Sequence, residues 1–222
     1  MISVILPSRK RADALKKSIH SLIDTATEKG SFEILVIFDD DDLPSKKEIE
    51  DTFPQVRTFV FPRIGYKYLH EYYNRIAAEA RGEWLFQWND DCIMLTRGWD
   101  RTILDVDKFC CIGSNNVSPK GDLYQMEILF PIVPKKYFEI LGHLSLNRHT
   151  DSWIYFIFND LGLVIPSNIR IMHDRPDLGG GNDDEVYRSR EYDVESLQTE
   201  ETMRYKHADL NRIKEYLNGN TR

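Results

Sequence analysis

The strongest constraint on how this chain folds is a set of short apolar runs, each of which stops abruptly at a polar cluster. Ile2–Leu6 ends at Pro7-Ser8-Arg9, Phe32–Phe38 ends at Asp39-Asp40-Asp41-Asp42, and Trp84–Trp88 ends at Asn89-Asp90-Asp91. Apolar runs of about 4–8 residues with branched and aromatic side chains fit fully buried strands. Between them the spacing is helical. Ala12, Leu15, Ile19, Leu22, Ile23 and Ala26 form one stripe, with Gly30 as its stop; Ser45 and Glu48 form a capping box for a short helix to Phe53. Val56–Phe61 reads as another strand, and Leu69, Tyr73, Ile76, Ala77 and Ala80 line a helix that Gly82 terminates. The resulting βαβαβαβ order predicts an α/β fold with a mainly parallel central sheet flanked by helices. Ligands of such sheets bind beyond the carboxyl ends of the strands, so the three polar clusters are expected to converge on one crevice.

The second half is less regular. Cys110–Gly113, Leu123–Val133 and Ile169–Met172 read as strands, Pro134–Leu141 and Asp151–Leu161 as helices, and Glu200–Leu217 as a C-terminal helix. The polar segment Asp174–Glu191, with Gly179-Gly180-Gly181, reads as a mobile loop. A length of 222 residues fits one domain over 1–222, divided into a regularly alternating half (1–95), a less regular half (96–175) with a small antiparallel portion, and a loop plus helix (174–222).

Composition excludes several classes. No stretch approaches the roughly 18 apolar residues of a membrane span, and the first apolar run precedes its basic residues, the reverse of a signal peptide. Three cysteines, two of them adjacent at Cys110 and Cys111, form neither a disulfide framework nor a CxxC knuckle, which points to a reducing, cytoplasmic setting. A net charge of −7 argues against nucleic acid as a partner. Were the ligand a pyrophosphate, an acidic chain would have to neutralise it locally, with a divalent cation, a few basic side chains or helix N-termini. Asn89-Asp90-Asp91 is the cluster placed to do so, because carboxylates at a parallel strand end can share a cation with phosphate oxygens. Asn and Asp also favour plain turns, and the Asp41-Asp42 end of the second cluster also reads as a solvated loop.

The stretch Asn74-Arg75-Ile76-Ala77-Ala78-Glu79-Ala80-Arg81-Gly82-Glu83-Trp84-Leu85-Phe86-Gln87-Trp88-Asn89-Asp90-Asp91 resembles the segment of family 2 glycosyltransferases of the GT-A fold that leads into their DXD motif. Ser3–Arg9 is similar to the first strand and nucleotide-contacting loop of that family, and Glu33–Asp40 to its second strand. The resemblance implies transfer of a sugar from a nucleotide-sugar donor, a UDP-sugar, to a glycan or other hydroxyl acceptor with Mn²⁺ or Mg²⁺. It further implies that Pro7, Ser8 and Arg9 border the nucleotide, that Asp39 or Asp40 hydrogen-bonds the base, that Asn74, Asn89 and Asp90 line the donor site, and that Asp91 ligates the metal. Asn89 stands at the first position of the DXD motif, leaving carboxylates only at Asp90 and Asp91.

Asp151 resembles the acceptor-side acid of the family, whose role in inverting members is general base; an acid there also suits the helix dipole. Trp153 reads either as a stacking surface for an acceptor sugar or as core. By resemblance His173 is a further metal ligand, and by type it equally suits a structural role; Arg175 could reach a phosphate. A sugar nucleotidyltransferase is the rival enzyme, although Pro7-Ser8-Arg9-Lys10 stands where those enzymes carry a glycine-rich loop. A nucleotide-sugar-binding module without turnover is the rival outside catalysis. The sequence carries no signature of an oligomeric state.

Overall fold

A computed structural model describes residues 1–123, 129–181, 188 and 194–220. The chain begins β1 (Ile2–Ser8), α1 (Ala12–Thr25), β2 (Phe32–Asp39), α2 (Leu43–Thr52), β3 (Arg57–Phe61), α3 (Leu69–Glu79) and β4 (Trp84–Gln87). It continues with β5 (Cys92–Met94), α4 (Trp99–Leu104), β6 (Cys111–Val117), β7 (Ile132–Pro134), α5 (Lys135–Leu141), α6 (Thr150–Asp160), β8 (Val164–His173) and α7 (Glu200–Asn220). The described strands form one sheet in the order β3-β2-β1-β4-β7-β6-β8-β5. β1 pairs in parallel with β2 and β4, β2 with β3, and β6 with β8, whereas β7 runs antiparallel to β4 and β6, and β5 antiparallel to β8.

Alternation along the strands builds a core on each face. Val4 and Leu6 of β1 pack with Leu15, Ile19 and Leu22 of α1 and with Trp99 of α4, while Ile5, between them, packs with Tyr73 and Ile76 of α3 and Ile157 of α6. β1 in register with β2 from Ile2↔Phe32 to Ser8↔Phe38, and with β4 from Ile2↔Trp84, brings the carboxyl ends of the three strands to one edge. No described helix is long and apolar enough to cross a membrane.

Several local expectations change. Helix α2 starts at Leu43 with Pro44 in its first turn, so Ser45 lies inside it and donates to Asp42 Oδ1 (2.7 Å) in place of capping. Helix α3 ends before Gly82, whose role is close approach: a Cβ there would lie 2.6 Å from Ser3 N and 2.8 Å from Met1 O. The strand expected at Ile169–Met172 begins at Val164, through the polar Ser167-Asn168 pair that hid it. Of the run expected at 123–133, residues 124–128 lie outside the described residues, Leu123 bridges Val117, and the strand is Ile132–Pro134. Much of the expected mobile loop likewise lies outside them; its described start forms a turn in which the Gly180 N–H reaches Arg175 O (3.0 Å) and the Gly181 N–H reaches Asp174 Oδ1 (2.6 Å).

Asp100, fully buried at the start of α4, accepts the N–H groups of Thr27 (2.8 Å) and Glu28 (3.0 Å) and the Ser31 hydroxyl (2.9 Å), tying α4 to the α1–β2 connection. Burial pushes its carboxyl up, but those donors outweigh burial and hold it below the usual carboxylate range.

Two outcomes follow for stability. Gly82→Ala, which drives a methyl into the backbone of β1, should cost about 1–3 kcal/mol in urea unfolding, and an unchanged midpoint would contradict the close approach. Asp100→Asn should cost about 1–3 kcal/mol near neutral pH by setting an amide donor among N–H groups. Because the folded carboxyl is depressed, that stabilisation is full above the unfolded value of about 3.9 and is lost as pH falls through the folded value, so wild type and variant should converge in acid.

Candidate active site

The tips of β1 and β4 are tied together by Ser8, whose hydroxyl donates to Asp90 Oδ2 (2.8 Å). Arg11, at the entrance to α1, donates to Asp90 Oδ1 (3.2 Å) and lies 3.7 Å from Asp91 Oδ2. Burial and the adjacent Asp91 charge push the Asp90 carboxyl up, and Arg11 and Ser8 oppose them. Both Asp90 oxygens are therefore engaged by protein groups, and Asp91 is the acid turned toward β8.

There Asp91 Oδ1 meets His173 Nε2 at 3.1 Å. His173 is 4% exposed, and neither of its ring nitrogens has a hydrogen-bonding partner of good geometry among the described residues. The β5–β8 pairing sets Cys92 opposite His173, and the Asp174 N–H donates to Asp91 O (2.8 Å). One ligand atom each from Asp91, Cys92 and His173 lie within 4.8 Å of one another. Burial, then the charges of Asp91 and Asp90, hold the Cys92 thiol well above its usual range, so it is a neutral thiol at ordinary pH. A cavity of about 790 Å³ opens at this point, lined by Lys10, Arg11, Asp90, Asp91, Asp174 and Gly181.

Asn89 is fixed from both faces of the sheet. The Tyr73 hydroxyl lies 2.9 Å from Asn89 Oδ1 and from Trp88 O, while the Ser18 hydroxyl donates to Asn89 O (3.2 Å) and receives the Trp88 indole N–H (2.7 Å). Asp151, half-buried in the first turn of α6, accepts the Ser152 N–H (2.8 Å) and is among the charges that act on the Tyr73 hydroxyl.

At the tip of β2, Arg9 joins Asp39 (2.9 Å) to Asp41 (2.9 Å from Nη2), and Tyr72 donates its hydroxyl to Asp39 Oδ1. Burial, then the Asp39 carboxylate, push the Tyr72 hydroxyl up to about 12, keeping it a donor. Asp40 is exposed and accepts the Arg63 N–H (3.1 Å). Asp42 is a buried tie in place of a solvated loop residue, accepting the Lys10 N–H (2.6 Å).

Ser8, Asn89, Asp90, Asp91 and His173 thus gather at one edge of the sheet, with Pro7, Arg9, Asp39 and Asp40 at the adjoining tips of β1 and β2. Asn74 is not brought into this group: its side-chain carbonyl accepts the Leu144 N–H (2.7 Å) and its NH₂ donates to Ser145 O (2.8 Å), fastening α3 to the loop before α6. Trp153 is core, 1% exposed, with its indole N–H donated to Asp209 (3.1 Å), and Arg175 is engaged by Asp177 (2.9 and 2.6 Å). Sequence reasoning missed Arg11, Tyr72, Tyr73 and Cys92. The basic run Arg9-Lys10-Arg11 beside an acidic strand tip was the available signal for Arg11, and adjacency to Asp91 the signal for Cys92.

The Glycosyl transferase family 2 profile matches residues 3–154. No curated protein matches the chain in sequence. In structure the chain is similar to S. aureus TarS 1-349 in complex with UDP-GlcNAc, with a TM-score of 0.68 and 12% identity over 94% of this chain and 66% of that one. It is also similar to S. aureus TarS 1-349 (TM-score 0.58, 12% identity, 80% of this chain and 61% of that one). A third similar structure is the mannosyltransferase PcManGT from Pyrobaculum calidifontis in complex with GDP-Man and Mn²⁺ (TM-score 0.60, 13% identity, 78% and 56%). The matches therefore span from 56% to 66% of those solved chains, and at such identities the likeness is one of fold. With the family profile running from β1 into α6, the chain belongs to glycosyl transferase family 2 and carries the GT-A fold.

Proposed function

We propose that this chain is a divalent-metal-dependent glycosyltransferase that moves a sugar from a nucleotide-sugar, a UDP-sugar, to an acceptor hydroxyl with inversion. The observation that carries the reading is the Asp91–His173 pair: a carboxylate oxygen 3.1 Å from the Nε2 of a buried imidazole, beside a cavity that Asp91, Lys10 and Arg11 line. A buried imidazole whose nitrogens make no hydrogen bond of good geometry is costly unless something satisfies it, and carboxylate oxygen plus imidazole nitrogen suits Mn²⁺ better than Mg²⁺, which prefers oxygen alone. Two of the structurally similar proteins, solved with UDP-GlcNAc and with GDP-Man and Mn²⁺, add support for a nucleotide-sugar donor.

In this reading Asp91 and His173 hold the cation, which when bound stabilises charge on the departing nucleoside diphosphate. Asp90, with one oxygen held by Arg11 and the other by the Ser8 hydroxyl, shapes the turn rather than ligating. Lys10 and Arg11 place positive charge where the donor phosphates enter, and Asp39 or Asp40 receives the base. Asp151 takes the acceptor's proton as the acceptor oxygen bonds to the anomeric carbon and the bond from that carbon to the diphosphate oxygen breaks. Nothing at Pro7–Lys10 resembles the glycine-rich loop a nucleotidyltransferase needs, which sets that rival aside.

Calorimetry should find UDP binding that requires Mn²⁺ in wild type and is lost in Asp91→Ala; equal affinity in excess chelator would overturn the metal role. Asp151→Asn should lower kcat about 10²–10⁴-fold while leaving donor affinity within about threefold. A variant with wild-type kcat would remove Asp151 from the chemistry.

A further inference from the structure

The assignment of Asp91 and His173 leaves one atom of the cluster without a role. Cys92 Sγ lies 3.8 Å from Asp91 Oδ1, and the antiparallel register of β5 and β8 places Cys92 directly across from His173. Packing alone accounts for a buried cysteine, since it behaves as a small hydrophobe. It does not account for the adjacent His173 imidazole, whose side chain is 5% exposed and whose nitrogens make no hydrogen bond of good geometry among the described residues, although Nε2 lies 3.1 Å from Asp91 Oδ1. Carboxylate, imidazole and sulfur together form a softer donor set than carboxylate and imidazole alone. Three protein ligands with a further position open to a bound molecule is the arrangement of catalytic zinc centres, whereas Mg²⁺ prefers an all-oxygen, near-octahedral shell.

We propose that Cys92 is a third ligand of this centre, and that the centre selects a thiophilic divalent ion, Co²⁺, Zn²⁺ or Cd²⁺, over Mg²⁺. The inference rests on the reading of Asp91 and His173 as ligands and adds sulfur to it. As the ion binds, the Cys92 S–H bond gives way to a sulfur–metal bond and the proton passes to solvent, with no change in oxidation state. Harder ions such as Mn²⁺ engage the carboxylate and imidazole with the thiol still protonated.

Cobalt(II) added to the full-length protein reads ligand type directly. The chain has three cysteines, so a Cys110→Ser/Cys111→Ser variant leaves Cys92 as the single sulfur donor of that type. Wild type and this variant should both show visible d–d bands together with a near-ultraviolet thiolate-to-cobalt charge-transfer band. Cys92→Ser should keep the d–d bands, lose the charge-transfer band and bind Co²⁺ at least about tenfold more weakly, with Mn²⁺ affinity changed less than about threefold. Should Cys92→Ser fail to fold, the band in the Cys110→Ser/Cys111→Ser variant still decides the matter. Visible d–d bands without charge transfer in wild type would overturn the sulfur ligand while leaving Asp91 and His173 in place. Failure to take up Co²⁺ at all would overturn both.

Discussion

Two adjacent carboxylates at the end of a buried strand are the constraint around which the rest of the molecule is arranged. Removing charge from water is expensive, and like charges side by side add to the expense, so Asp90 and Asp91 persist only with compensation supplied from outside β4. The fold supplies it from separate directions: Ser8 from the tip of β1, Arg11 from the entrance of α1, and His173 from the end of β8. None of these partners is near the acids in sequence, and all depend on strand register. The parallel pairing of β1 with β4 and the antiparallel pairing of β5 with β8 are thus what turn a short acidic motif into a site.

The compensation is uneven, and that unevenness divides the labour between the two acids. Asp90 is held on both oxygens by Ser8 and Arg11, while Asp91 turns Oδ1 toward His173 Nε2 (3.1 Å) with Arg11 3.7 Å from Oδ2. On the proposed function, such a site offers a carboxylate oxygen and an imidazole nitrogen to a cation, with Arg11 beside them as a fixed positive charge. Substitution of the first motif position by Asn89 is consistent with that division, because Asn89 is held by Tyr73 and Ser18 as part of the turn.

How much of this could be read from the chain alone depends on the range of the interactions. Buried strands such as Ile2–Leu6 and Phe32–Phe38 and the amphipathic stripe of α1 announce themselves locally, and strand-end logic located the crevice. β8 escaped full recognition because Ser167 and Asn168 interrupt its apolar pattern, and the three-residue β5 is too short to have a period. Among the candidate residues, Asp91 and His173, which the resemblance singled out, lie together in the structure, with Asp91 Oδ1 3.1 Å from His173 Nε2. Asn74 read as a donor contact, yet its amide is engaged by the backbone at Leu144 and Ser145, some 70 residues away. Such pairings depend on tertiary geometry that local spacing does not encode; the same holds for Arg11 with Asp90 and for the Lys10 N–H with Asp42.

The role of this edge of the sheet turns on where a divalent ion settles. Anomalous diffraction from crystals grown with UDP and Mn²⁺ would place it directly. The arrangement predicts a single strong manganese peak within about 2.0–2.3 Å of an Asp91 oxygen and a His173 nitrogen, in contact with the diphosphate. A peak elsewhere on the surface, or UDP bound at this edge with no manganese beside Asp91, would contradict it.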